Sequence, residues 1–286
     1  MRILADPFQP TANWVYVIIA MAVLHFGFAI IVTPLVTVWY QSTAVLNDPT
    51  LADALIAGST PAGVRWNLAF FGVYVALLWG LMRMLHGLPL RTLIGPPATA
   101  IVAGLKIGLY LIPLYALLVI PAVSGPQVYQ NLALVDWVLL LPATLPLLFV
   151  QISAEELVFR GYLQSHLAAL SRHPLIWMLI PSVLFGLIHY DGTEPAYSAW
   201  AYVVWATGLG LVCADVTARH GTLGPALAIH FVNNISALLV VAADDWLYGA
   251  ALYIWPTFGK PWEPWIPFEA LFLLCLWLTA RLAIRR

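Results

Sequence analysis

Charge is what this 286-residue sequence has least of: Lys, Arg, Asp and Glu together make up 9% of it, where a soluble domain carries about 25%. A chain this poor in charge, 62% hydrophobic and with a mean hydropathy of +0.90, has more apolar surface than a globule of its size can bury. That surface belongs in lipid. An excess of either sign is also missing. The formal net charge is -1, which leaves no basic footprint for nucleic acid. Cysteine is nearly absent. Cys213 and Cys275 both sit in apolar runs, which reads as two small core residues and not as a disulfide or a metal pair. There is no GxSxG elbow and no HExxH pair, which argues against serine hydrolases and zincins. No internal repeat, low-complexity tract or separate soluble domain interrupts the chain, so residues 1–286 read as a single transmembrane domain. The sequence carries no signal for oligomeric state.

What is present is a series of long apolar runs. A helical span needs about 20 mostly apolar residues. The candidates are Trp14–Trp39, Leu68–Met84, Ala98–Val119, Leu134–Ile152, Pro174–His189, Trp200–Val216, Leu223–Ala242 and Trp265–Leu282. The fold class is therefore all-α, a polytopic bundle of about eight helices. The first run is too long for a signal-peptide core and reads as a retained span. Pro142 and Pro146 are expected to kink the fourth span or to divide it. An even number of spans puts both termini on one side. That side collects Arg2, Arg83, Arg91, Arg160, Arg172, Arg219, Arg281, Arg285 and Arg286. The opposite side has Arg65 and Lys260 with Asp48, Asp53, Asp191, Glu194, Asp244, Asp245 and Glu263. This asymmetry predicts cytoplasmic termini in a membrane of bacterial inner-membrane type. Lys106 lies near the start of the third span and can snorkel to that face. Trp246, Tyr248, Tyr253, Trp255, Trp262 and Trp265 crowd the stretch 246–265, as an interfacial belt or a substrate-binding lip. Gly104 and Gly108 form a GxxxG spacing, a helix-packing signal.

Against this apolar background three polar clusters stand out, because a charge inside a membrane helix costs about 2.5–3.5 kcal/mol on insertion scales. The first is Glu155-Glu156-Leu157-Val158-Phe159-Arg160. Glu156 and Arg160 are four apart and can pair on one helix face. Glu155 points about 100° away and is left as a free carboxylate for a polar cavity. The second is Phe185 with His189. The third is His230 with Asn234, again four apart on an otherwise apolar helix. Each cluster has a plain reading: charges near a helix end, a satisfied interfacial histidine, an interhelical hydrogen-bond pair. Depth weighs against three coincidences. Glu155 and His189 lie about equally far, roughly 25 Å, from the turn near residues 171–174 that joins their helices. His230 and Asn234 lie roughly 15–21 Å beyond the next turn. The three clusters meet at one level if the fourth and fifth helices protrude slightly on the cytoplasmic side.

The three motifs together resemble the CAAX protease and bacteriocin-processing family of intramembrane peptidases, also called the ABI family. The pattern EExxxR, FxxxH, HxxxN reads here as Glu155-Glu156 with Arg160, Phe185 with His189, and His230 with Asn234, in order and at the right spacing. The resemblance covers about Leu148 to Ala237. It implies a helical bundle with a polar intramembrane cavity open toward the cytoplasm and a catalytic core over about residues 134–242. It implies hydrolysis of a peptide bond in a membrane-associated or lipidated peptide or protein. By the same resemblance Glu155 and His189 hold and activate a water, His230 and Asn234 stabilise the oxyanion, and Glu156, Arg160 and Phe185 support them.

The residue chemistry runs the same way. Amide hydrolysis needs a nucleophile, a base and oxyanion donors, and water is the nucleophile that remains. Glu155 suits the base and His189 the residue that positions the water. His230 and Asn234 can each present an N–H. No cofactor is expected, although Glu155, His189 and His230 are also a donor set that suits zinc. Two other classes stay open on the residues alone. Intramembrane carboxylates and histidines also build the proton relays of ion-coupled transporters, and a non-catalytic scaffold or immunity relative would keep the same cavity for binding. The partners expected in every case are membrane lipids and, for a peptidase, a substrate held at the membrane.

Overall fold

Without water to satisfy backbone groups, an apolar chain in lipid winds into helices. The computed structural model describes residues 1–42, 47–193, 196–256 and 266–285. Its helices follow the hydropathy in order: α1 (Trp14–Tyr40), α2 (Pro49–Ala57), α3 (Pro61–His86), α4 (Pro97–Val123), α5 (Leu134–Leu170), α6 (Leu175–Leu187), α7 (Ala196–His220), α8 (Gly224–Val240) and α9 (Ile266–Ile284). The six helices α1, α3, α4, α5, α7 and α9 are long and apolar enough to cross a membrane, and α6 and α8 are apolar but shorter. The chain is thus a multi-pass, all-α membrane protein. The eight apolar runs of the sequence become six full spans and two shorter helices, and the two shorter ones carry the second and third motifs.

Of the two outcomes expected at the prolines of α5, division does not occur: Pro142 and Pro146 both lie inside its regular helical part, Leu134–Glu156. The change of winding comes directly after the two glutamates, where Leu157–Gln164 is π-helical. Similar wide-wound stretches occur at Leu175–Leu179, ahead of Phe185, and at Ser236–Val240, after Asn234. All three helices that bear motifs therefore carry one, and such insertions re-aim side chains relative to a regular helix.

Close helix approach relies on missing side chains. A Cβ on Gly186 of α6 would stand 2.1 Å from Thr207 Oγ1 and 2.5 Å from the Val203 carbonyl oxygen of α7. Gly224, which opens α8, lies flat against the Ala100 carbonyl of α4, where a Cβ would stand 1.9 Å from the oxygen. Of the GxxxG pair, only Gly104 joins a contact, its Cβ position lying 3.1 Å from the Gly224 carbonyl oxygen. Gly108 faces open space. Cys213 is buried and Cys275 half-buried, both as free thiols.

Both termini gather at one end of α7. The Met1 amine donates to the Ala218 carbonyl, and Arg281 Nη1 of α9 lies 3.9 Å from Asp215 Oδ2. Phe8, in the short helical segment Asp6–Thr11, is fully buried against this end of the bundle. At the other end a small sheet, not expected from the sequence, joins β1 (Tyr129–Gln130), β2 (Val241–Ala243) and β3 (Tyr253–Trp255) in the order β1-β3-β2. The charges counted at Glu194, Lys260, Glu263 and Arg286, and the aromatics at Trp262 and Trp265, lie outside the described residues. One charge changes category. Arg160, counted above with the surface basics, is 1% exposed and lies inside the bundle.

Candidate active site

The site grows from α5. Gln151 and Glu155 are one helical turn apart, and Gln151 Nε2 donates to Glu155 Oε1 at 2.6 Å. Glu155 is therefore not free of sequence-near partners, as the motif reading had it. One residue on, Glu156 accepts from Arg160 Nη1 at 2.9 Å through Oε1, with both side chains buried. The guanidinium lies over the Phe185 ring, 4.4 Å from its centroid. Glycine at 210 makes room for it, since a Cβ there would stand 3.2 Å from Arg160 Nη2.

α8 brings in His230, Asn233 and Asn234. His230 spans the two glutamates. Its Nδ1 is 2.8 Å from Glu156 Oε1 and its Nε2 is 3.5 Å from Glu155 Oε2. An ionised carboxylate only accepts, so Nδ1 carries the proton toward Glu156, and in the neutral ring Nε2 is the lone pair that faces Glu155. Asn234 Nδ2 donates to Gln151 Oε1 at 3.0 Å. Asn233 Nδ2 donates to Asn234 Oδ1 at 3.2 Å, and the Tyr115 hydroxyl of α4 donates to Asn233 Oδ1 at 3.0 Å.

α6 contributes Phe185 and His189. The Phe185 ring meets His189 at 4.7 Å and His230 at 5.7 Å between centroids. His189 Nδ1 is 2.7 Å from the Phe185 carbonyl oxygen. A carbonyl cannot donate, so Nδ1 again holds the proton and Nε2 is left open. This bond explains the FxxxH spacing physically: the backbone of the first residue sets the tautomer of the last. His189 stands just past the end of α6, partly exposed, with Tyr202 of α7 at 5.8 Å. Among the described residues its one side-chain hydrogen bond is that to Phe185, so it joins His230 through the shared phenyl ring, and Glu155 only by way of His230.

All seven residues singled out from the sequence thus belong to one connected assembly on α5, α6 and α8. Gln151, Asn233 and Tyr115 were missed. Gln151 was readable, being four residues ahead of Glu155 on the same face. Tyr115 was not, because only packing of α4 against α8 brings it near. Several polar atoms of the site are buried and make no hydrogen bond among the described residues: Glu155 Oε2, Glu156 Oε2, and Nε and Nη2 of Arg160. Leaving such atoms unmet typically costs about 1–3 kcal/mol each. Glu155 Oε2, with His230 Nε2 beyond direct bonding distance, is thus a carboxylate oxygen able to take a water or a substrate group. Among the described residues no three His, Cys, Asp or Glu side chains are grouped to hold one metal ion.

Comparison with known proteins points in one direction. The model of the family described as type II CAAX prenyl endopeptidase Rce1-like matches residues 137–236, a stretch that holds every motif residue and Gln151 but not Tyr115. The chain is 31% identical over 243 residues to the uncharacterized protein YyaK of Bacillus subtilis (strain 168), covering 82% of this chain and 77% of that protein. No solved structure matches the chain significantly.

Proposed function

The chain belongs to the CAAX protease and bacteriocin-processing family of intramembrane peptidases, and on that footing we propose that it hydrolyses a peptide bond of a membrane-associated or lipidated peptide or protein, with water as the nucleophile. The observation that carries the reading is the approach of Glu155 Oε2 to His230 Nε2 at 3.5 Å. It sets a buried carboxylate oxygen with no hydrogen bond among the described residues beside an imidazole on a different helix.

In this reading Glu155 Oε2 takes a proton from the water as its oxygen attacks the substrate carbonyl carbon. His189, with Nδ1–H tied to the Phe185 carbonyl, offers Nε2 to orient that water, and Glu155 returns the proton it took to the amine nitrogen as the C–N bond breaks. Asn234 keeps a second amide N–H besides the one given to Gln151, and that N–H meets the developing oxyanion. His230 meets it from Nε2 when the ring carries both protons, with the Glu156 carboxylate at Nδ1 to balance the charge. One such donor typically accounts for about 2.7–4 kcal/mol of barrier lowering. Glu156, Arg160 and Phe185 hold the rings in place. No metal takes part. We take the face that carries both termini as the cytoplasmic face of a bacterial inner membrane.

The test is a comparison of membrane proteomes made with the wild type and with Glu155→Ala, searching for new peptide termini, followed by cleavage of the identified substrate by protein in detergent. Glu155→Ala and His189→Ala abolish cleavage while the protein stays folded. A Glu155→Ala variant of full activity ends the peptidase assignment.

A further inference from the structure

The polar side chains behind Glu155 form one directed chain. An ionised carboxylate can only accept, so Gln151 must turn its amide nitrogen toward Glu155 and its oxygen toward Asn234. Asn234 must then give Nδ2 to Gln151 and keep Oδ1 for Asn233. Asn233 in turn gives Nδ2 to Asn234 and keeps Oδ1 for the Tyr115 hydroxyl. The distances along this path are 2.6, 3.0, 3.2 and 3.0 Å. Three helices contribute, α5, α8 and α4, and Gln151, Glu155, Asn233 and Tyr115 are all buried. The far anchor is rigid, because the Tyr115 ring also sits edge-on to Phe272 of α9 at 5.2 Å.

The chain ends on one oxygen only. Glu155 Oε1 is taken by Gln151, whereas Oε2 has no hydrogen bond among the described residues and looks toward His230. Resting on the peptidase reading above, we infer that Gln151 is a positioning residue for the reaction, and that the path from Tyr115 through Asn233 and Asn234 to Gln151 fixes the Glu155 carboxylate so that Oε2 is the atom presented to water. The same path fixes the Asn234 amide, so the base and one oxyanion donor are set by a single device. A strained or rotating carboxylate would offer either oxygen, and misplacement of a reacting atom by about 1 Å can cost about 100-fold in rate. Other groups face Glu155 from neighbouring elements: His230 of α8 approaches Oε2, and Tyr74 of α3 and Tyr202 of α7 interact with the carboxylate through space.

The experiment uses infrared difference spectroscopy on the full-length protein in detergent. Subtracting the spectrum of Glu155→Gln isolates the carboxylate stretch of Glu155. In Gln151→Met, which keeps the length of the side chain and removes its donor, that band moves to the position of a carboxylate with one donor fewer. Tyr115→Phe keeps the ring against Phe272 and moves the band in the same direction by less, since a chain of bonds polarises its members. With substrate, Gln151→Met lowers kcat by about 10- to 100-fold, the value of a lost hydrogen bond to a charged group, and leaves KM within about twofold. An unmoved Glu155 band in folded Gln151→Met overturns the inference. If Gln151→Met does not fold, the band in Tyr115→Phe decides in the same way. A wild type that cleaves nothing sinks the peptidase reading instead, and the band still tells whether Gln151 orders the carboxylate.

Discussion

His230 donates from Nδ1 to Oε1 of Glu156 at 2.8 Å, across 74 residues of sequence. The same oxygen accepts from Arg160 at 2.9 Å, so Glu156 braces α5 to α8 as well as pairing within its own helix. Glu156→Ala leaves a buried guanidinium without its partner and His230 without its acceptor. Breaking a buried pair in this way typically costs about 3–5 kcal/mol. The expected outcome is a large drop in melting temperature or in folded yield from detergent, with Glu156→Gln milder because it keeps an acceptor oxygen. A Glu156→Ala protein that melts like the wild type would show that this brace carries no stability.

Phe185 is the ring on which Arg160, His189 and His230 all rest. Phe185→Ala opens a cavity in a buried site and is expected to cost about 3–5 kcal/mol. Phe185→Leu separates the two roles. It fills most of the volume but lacks the π-face, worth about 0.5–2 kcal/mol to a guanidinium, and it lacks the edge that sets the imidazoles. Thermal melting should place Phe185→Leu near the wild type, while its cleavage rate falls well below. A full rate in Phe185→Leu contradicts the positioning role.

Gly186 stands next to that ring, where α6 touches α7. Gly186→Ala forces the helices apart and is expected to destabilise by about 1–3 kcal/mol, in the range of overpacked sites. Adding Thr207→Ala removes the nearer obstacle, at 2.1 Å, but not the Val203 carbonyl oxygen at 2.5 Å. Melting curves of the single and double variants should therefore show partial recovery only. Complete recovery would mean that the backbone contact is not limiting.

The proposed hydrolysis uses water, Glu155 and the histidines, with no metal ion in the scheme. Cleavage by purified protein should keep its rate after incubation with a strong chelator and after dialysis. A loss of activity that added zinc restores would replace the water-and-glutamate scheme with a metal-assisted one.

A fifth prediction concerns the segment ahead of α1. Phe8 stacks on His166 at 5.4 Å and meets His86 at 5.1 Å and Tyr162 at 5.8 Å, edge-on in both cases. Thr11 Oγ1 lies 2.7 Å from His86 Nδ1, and the Asn13 backbone N–H donates to His166 Nε2 at 3.0 Å. Tyr162 and His166 lie on α5 just past Arg160, so this contact holds the end of the motif helix. Phe8→Ala should raise hydrogen exchange across residues 1–13 and across the π-helical stretch together. Faster exchange confined to residues 1–13 would show that the two are uncoupled.

Much of the site was legible because its spacing is helical. Glu156 with Arg160 needed only the four-residue rule. The division of labour between the glutamates was half right. Glu156 is the paired one, but Glu155 has Gln151 as a neighbour, a partner overlooked because an amide carries no charge to draw attention. Division of α5 at its prolines, one of the two outcomes expected there, does not occur. In a bundle, neighbouring groups and local adjustments can meet the hydrogen bonds that proline gives up, and the winding changed instead beside the buried charges.

Composition and the order of apolar runs by themselves determined that the chain is a multi-pass helical membrane protein, since backbone groups in lipid have few ways to be satisfied. Local spacing determined which polar residues could share a helix face. Tertiary structure alone decided that His230 bridges two glutamates, that one phenyl ring seats both imidazoles and the guanidinium, and that Tyr115 reaches Glu155 through three amides. Those relations depend on how far one helix is turned and shifted against the next, which is set by steric contacts such as Gly186 on Val203 and Gly224 on Ala100. No periodicity along a single chain encodes that rotation.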